Sequence, residues 1–220
     1  MNQKYKIDRI NKITYKGQRK KKINSMRCRY IAKSHIVNCD GASSNNKYIN
    51  YRGSQISKVN FCNAIFYGCD FWGVTFNKCS FRNATFTDCV FMACKFKNCD
   101  FENAKINYTI IVNTNLNGCN GISITDTMTI IKQYPVEVIS EQLMAALLAL
   151  RDNKNLKKNK ILFIGEGRIN YLNLYLLRKK YSEETLIDFF TLLKTRSNKD
   201  ITTYKRLESI LYKMKKDGIL

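Results

Sequence analysis

From Ile56 to Leu116 one bulky apolar residue returns at every fifth position: Ile56, Phe61, Phe66, Phe71, Phe76, Phe81, Phe86, Phe91, Phe96, Phe101, Ile106, Ile111 and Leu116. Two residues before each stands a small one, among them Val59, Ala64, Cys69, Val74, Cys79, Ala84 and Cys89. A period of five matches neither the 3.6 of a helix nor the 2.0 of a flat strand, so this stretch is a repeat architecture before it is anything else. A turn at each fifth residue sends the bulky side chain to a common axis with the small one tucked beside it. Two bulky residues per unit would overfill so narrow a core.

Units such as Cys69-Asp70-Phe71-Trp72-Gly73 and Cys99-Asp100-Phe101-Glu102-Asn103 resemble the pentapeptide-repeat family, over about residues 34–122. The resemblance implies a right-handed quadrilateral β-helix with one unit per side and four per coil. At the β-spacing of about 4.8 Å, roughly three complete coils make a rod about 15 Å long whose open ends need caps. Residues 20 apart then become vertical neighbours. Asn63, Asn83 and Asn103 form one column, in which side-chain amides are expected to hydrogen-bond along the stack. The outward positions Asp70, Trp72, Val90, Met92, Ile110 and Val112 form a largely apolar stripe that needs a cover. The cover is either a segment of the same chain, the C-terminal helices, or a protein partner. The neighbouring side carries Lys78, Lys95 and Lys97. Between Ile36 and Tyr51 the repeat is in phase but damaged, with Gly41 and Asn46 at core positions, which reads as a frayed first coil.

Charge divides the chain. Thirty-eight Lys and Arg against 17 Asp and Glu leave +21, a surplus that suits a polyanionic partner. Residues 1–39 carry +11, residues 40–122 carry +3 and residues 123–220 carry +7. Residues 1–33 read as a basic arm, either solvated or gathering the phosphates of RNA or DNA through Arg19, Lys20, Lys21 and Lys22. No apolar run reaches the roughly 20 residues that cross a bilayer, and no signal-peptide pattern opens the chain, so a cytoplasmic protein without membrane contact is expected. Seven of the nine cysteines share one phase of the repeat, which marks them as packed thiols rather than disulfides or a metal site. One histidine, His35, has no carboxylate motif beside it, so no catalytic residue is assigned.

Beyond a connector over 123–139 that contains Pro135, residues 140–220 form a separate region, read as a small α/β or all-α unit. Ser140-Glu141-Gln142 opens a helix through Arg151. Lys160 to Ile164 is a short β-prone run ended by Gly165-Glu166-Gly167 and followed by a helical stretch from Arg168 to Lys180. Leu186 to Leu193 fits a second strand, Thr203 to Lys216 a second helix, and Gly218 to Leu220 the start of a third strand, the order of a half Rossmann sheet. These residues resemble the first motif of class I S-adenosylmethionine-dependent methyltransferases, of the ribosomal-RNA uridine type. That resemblance implies that Gly165, Glu166 and Gly167 face S-adenosylmethionine, while the later strands of the family lie beyond Leu220. A helical bundle remains open, because Ser182 suits an N-cap and Leu186, Phe189, Phe190 and Leu193 have helical spacing. A winged-helix recognition helix over Thr203 to Leu220 is a third reading.

The sequence therefore points first to a non-catalytic scaffold, without a cofactor, that binds protein or nucleic acid. An S-adenosylmethionine-dependent RNA methyltransferase-like protein is the alternative. The family resemblance also implies a protector of DNA gyrase and topoisomerase IV. Such protectors are acidic rods that imitate DNA, and a repeat carrying +3 is poorly suited to that.

Overall fold

The computed structural model describes residues 11–14 and 21–220. They fall into two compact units that divide between Lys132 and Gln133. The first is a parallel solenoid with four sides. Its first side stacks Asn11–Thr14, Ser34–Val37, Gln55–Ser57, Thr75–Asn77 and Lys95–Lys97, then Asn115 by a bridge. The second stacks Lys21–Lys22, Cys39–Asp40, Asn60, Ser80, Cys99–Asp100 and Cys119–Asn120. The strand Asn45–Asn50 bends across a corner, so it belongs to the third side with Ile65–Tyr67, Thr85–Thr87 and Lys105–Asn107. It also belongs to the fourth, with Asp70–Trp72, Val90–Met92, Ile110–Val112 and Thr129–Ile131. Six levels on the first side span about 24 Å, twice the expected number of coils. Two expectations are corrected here. Asn11–Thr14, Lys21–Lys22 and Met26–Tyr30 pair into the solenoid, so the stack begins before residue 34 and much of the supposed arm belongs to it. The coil expected to be frayed is a fully paired one.

The axis is filled by rings in register. Phe61, Phe81 and Phe101 stack along the second side at 5.4 and 4.7 Å, and Tyr51, Phe71 and Phe91 along the fourth at 5.0 and 4.8 Å. Edge-on contacts such as Phe61–Phe66 join the columns. The ladder spacing sets these separations, and offset stacking is favourable at them. The small positions add a second device: the Cys79 and Cys94 thiols donate to the carbonyls of Ile56 and Phe71 one coil below, at 3.4 and 2.8 Å. Thr114 does the same to Phe91 with its hydroxyl. All nine cysteines are free, and burial pushes the Cys94 thiol up to about 12.

From Lys33 to Asn113 each corner is made by one residue in the left-handed region, which recurs every five positions: Lys58, Asn63, Gly68, Gly73, Lys78, Asn83 and Asp88 have φ between 53° and 60°. This explains the Asn63, Asn83 and Asn103 column in another way. Asn tolerates positive φ. The bonds along the stack are made by the backbone, with the Asn63 and Asn83 N–H groups donating to the Arg82 and Glu102 carbonyls at 2.9 Å.

The second unit is all-α: α1 (Glu141–Leu148), α2 (Lys154–Asn159), α3 (Tyr171–Arg178), α4 (Glu183–Leu193) and α5 (Tyr204–Lys216). The half Rossmann sheet is absent from it. Ser182 caps α4 by accepting the Thr185 N–H, and Leu186, Phe189, Phe190 and Leu193 bury one helical face, so tertiary packing selects helix where a strand was also open. Gly218 is a C-terminal cap at φ 68° rather than a strand start, with the Ile219 N–H returning to the Met214 carbonyl at 2.9 Å. Among the described residues no helix is long and apolar enough to cross a membrane.

Candidate functional site

The solenoid gives its four sides one backbone and one core, so what distinguishes them is the outward residue. On the first side, Lys95 and Lys97 flank Phe96, while Lys78 and Lys58 stand at the corner one and two coils below. Each of the four is exposed. The strands and corners of that side, over 33–38, 53–58, 73–78, 93–98 and 113–118, contain no Asp or Glu. None of the four lysines has an ion pair among the described residues. Lys33 and His35 continue the same side downward, with His35 in register with Gln55. Of this set, Lys78, Lys95 and Lys97 were legible in the sequence; Lys58 follows from the spacing of 20 that places it below Lys78.

The second side is different. Arg82 pairs with Asp100 at 3.4 Å and with Glu102. Asp40 accepts from the Ala42 N–H and from the Asn60 side-chain amide, both at 3.1 Å, and Asn60 and Asp100 in turn accept from the backbone two residues on. These are local turn bonds that hold the corner. They leave this side electrically balanced.

The fourth side holds the apolar stripe, and it is not an open face. Trp72, Val90 and Val112 are buried, and Met92 and Ile110 are half-buried. The Arg52 guanidinium lies 4.3 Å from the centre of the Trp72 ring, one coil below it, a cation–π contact between vertical neighbours. Ile131 extends the column above Val112.

Gly165, Glu166 and Gly167 do not open a cofactor loop. Phe163 pairs antiparallel with Ile169, and Glu166 and Gly167, at φ 62° and 72°, form the tip of a tight hairpin. A Cβ at Gly167 would lie 2.7 Å from Arg151 Nε, so the space beside this glycine is taken by the chain's own arginine. Helix α3 starts only at Tyr171, capped by Asn170, which removes the strand–turn–helix layout that points backbone N–H groups at a phosphate. Of the proposed phosphate-gathering run, Arg19 and Lys20 lie outside the described residues. Lys21 and Lys22 form an exposed two-residue strand in the first coil.

Two residues that read as damage in the sequence are structural features of note. Gly41 is buried directly below Phe61. Asn46 is fully buried on the axis, where its amide donates to Ser44 Oγ at 2.9 Å and its oxygen accepts the Tyr51 hydroxyl at 3.4 Å. The signal for both was a polar or missing side chain in the inward phase.

A family model agrees with the repeat read along the solenoid. The family model for pentapeptide repeats matches residues 54–91 and 86–120, in eight copies. No curated protein sequence matches the chain. Among solved structures it is similar to HetL, a pentapeptide repeat protein involved in heterocyst differentiation regulation in the cyanobacterium Nostoc, at 13% identity and a TM-score of 0.33, over 44% of this chain and 54% of HetL. It is likewise similar to a pentapeptide repeat protein of the Arabidopsis thaliana thylakoid lumen, at 17% identity and a TM-score of 0.31, over 57% of this chain and 75% of that one. Trypsin-treated QnrB1, a plasmid-mediated fluoroquinolone resistance protein, is matched at 12% identity and a TM-score of 0.29, over 50% of this chain and 66% of that one. The chain thus spans about half the length of HetL.

Proposed function

We propose that this pentapeptide-repeat protein is a non-catalytic scaffold that binds nucleic acid along the first side of its solenoid. The observation that carries the reading is the set Lys58, Lys78, Lys95 and Lys97, all exposed on one rigid side that has no carboxylate. Four ammonium groups over three successive coils, each level about 4.8 Å from the next, make a line of positive charge whose spacing the ladder maintains. Such a line attracts a phosphate backbone and releases its condensed counterions, which yields sequence-independent, salt-dependent binding. The exposed Lys21, Lys22, Arg27 and Arg29 add to the positive field of the same unit.

Protection of a topoisomerase by imitation of DNA has less support, because the charge of the first side is opposite in sign to that of a phosphate backbone. Fluorescence anisotropy with labelled single-stranded and duplex oligonucleotides at low salt tests the proposal. Binding that disappears when the four lysines become glutamate supports it. No binding to either strand form at low salt removes it.

A further inference from the structure

We infer that the solenoid carries a binding site for a small aromatic carboxylate at its N-terminal end, among its first coils. In the regular coils the inward position of the second side is a phenylalanine, and Phe61, Phe81 and Phe101 stack on one another. One level below Phe61 that position is Gly41, and the Phe61 ring leans over it, 2.7 Å from where a Cβ would stand. Among the described residues no further ring continues the column below Phe61. A cavity of about 210 Å³ opens among the first coils, walled by Ile23, Met26, Ile36, Tyr51 and Phe61. The hydroxyl of Tyr51 is bonded to Asn46, so it is the apolar ring that serves as wall.

Size and charge set the ligand class. An apolar cavity of about 150 Å³ binds benzene, and this one is larger by about a further fused ring. Lys21 and Lys22 also line it, and both are exposed, so a ligand with its ring inside and its anion toward these two ammonium groups meets both chemistries. The carboxylate in register with Lys22 is Asp40, whose Oδ1 accepts both the Ala42 N–H and the Asn60 amide. This site is separate from Lys58, Lys78, Lys95 and Lys97, which carry the nucleic-acid reading; Lys21 and Lys22 only add to the positive field there.

The probes are 2-naphthoate and its neutral analogue 2-naphthamide, titrated into the full chain by calorimetry. One 2-naphthoate is expected per chain. The double variant Lys21→Glu with Lys22→Glu should weaken 2-naphthoate about 10-fold and leave 2-naphthamide unchanged. Ile23→Trp, which fills the cavity, should remove both. Met26→Trp is an independent filler should the first fail to fold. The inference is overturned if 2-naphthoate gives no heat at millimolar concentration. It is equally overturned if the charge reversal affects both probes alike or neither, or if a folded filler variant binds as the parent does.

Discussion

The first and second sides of the solenoid are built in the same coils, and their ring columns, Phe76–Phe96 and Phe61–Phe81–Phe101, touch edge to edge, yet they present opposite surfaces. On the first side Lys58, Lys78, Lys95 and Lys97 stand without a carboxylate. On the second, Arg82 is held between Asp100 and Glu102, and Asp40 is bonded to Asn60. Inward residues keep the fold and outward residues are free to vary, so a side can acquire or lose a charge pattern with little effect on the core. The comparison teaches that recognition and stability are separable in this unit, and each can be perturbed alone.

The largest expected effect comes from reversing the first side. Glutamate at positions 58, 78, 95 and 97 should lower oligonucleotide affinity by at least about 100-fold, while urea unfolding midpoints stay close to those of the parent. Arg82→Glu, on the second side, should leave affinity within about 2-fold; equal losses from both changes would mean that only net charge matters. Next comes the core that both sides share. Phe81→Ala opens a void between Phe61 and Phe101 and should cost about 3–5 kcal/mol in chemical denaturation. A loss below about 1 kcal/mol would show that the ring column is not what holds the coils.

Corner chemistry is a smaller effect. Gly73 has φ 60° and open space beside it, so Gly73→Asn should be nearly neutral, whereas Gly73→Val should cost about 1–2 kcal/mol. The smallest is Arg82→Ala. Its side chain is half exposed, and its ion pairs should contribute no more than about 0.5 kcal/mol to stability, as measured by the same unfolding curves.

How much of this was legible depended on how far apart in sequence the determinants lie. In the solenoid each residue's neighbours are 5 and 20 positions away, so Phe61, Phe81 and Phe101 could be placed in one column from spacing alone. The same arithmetic placed Lys78 and Lys97 on one side. It failed where spacing varies: the first coil pairs Asn11 with Ser34 and Lys21 with Cys39, offsets that no fixed period reveals, and so the solenoid's beginning passed for a loose arm. Gly41 and Asn46 looked like defects, because the Phe61 ring that fills the place beside Gly41 and the partners Ser44 and Tyr51 that satisfy Asn46 are brought there by the coils and not by the local sequence. In the helical unit the ambiguity was physical. Leu186 to Leu193 carries both apolar density suited to a buried strand and helical spacing, and the choice is made by packing of α4 against α1 and α3, which lies outside any local window. Gly165-Glu166-Gly167 misled for a related reason, since glycines serve a hairpin tip as well as a phosphate loop.

The most direct test is the salt dependence of oligonucleotide binding, measured as log K against log salt for the parent and for the variant with glutamate at 58, 78, 95 and 97. Four lysines on a single strand predict a slope of roughly −3 in the parent that collapses toward zero in the variant. Identical slopes in the two proteins, or no binding by the parent at low salt, would contradict the assignment of nucleic-acid binding to the first side.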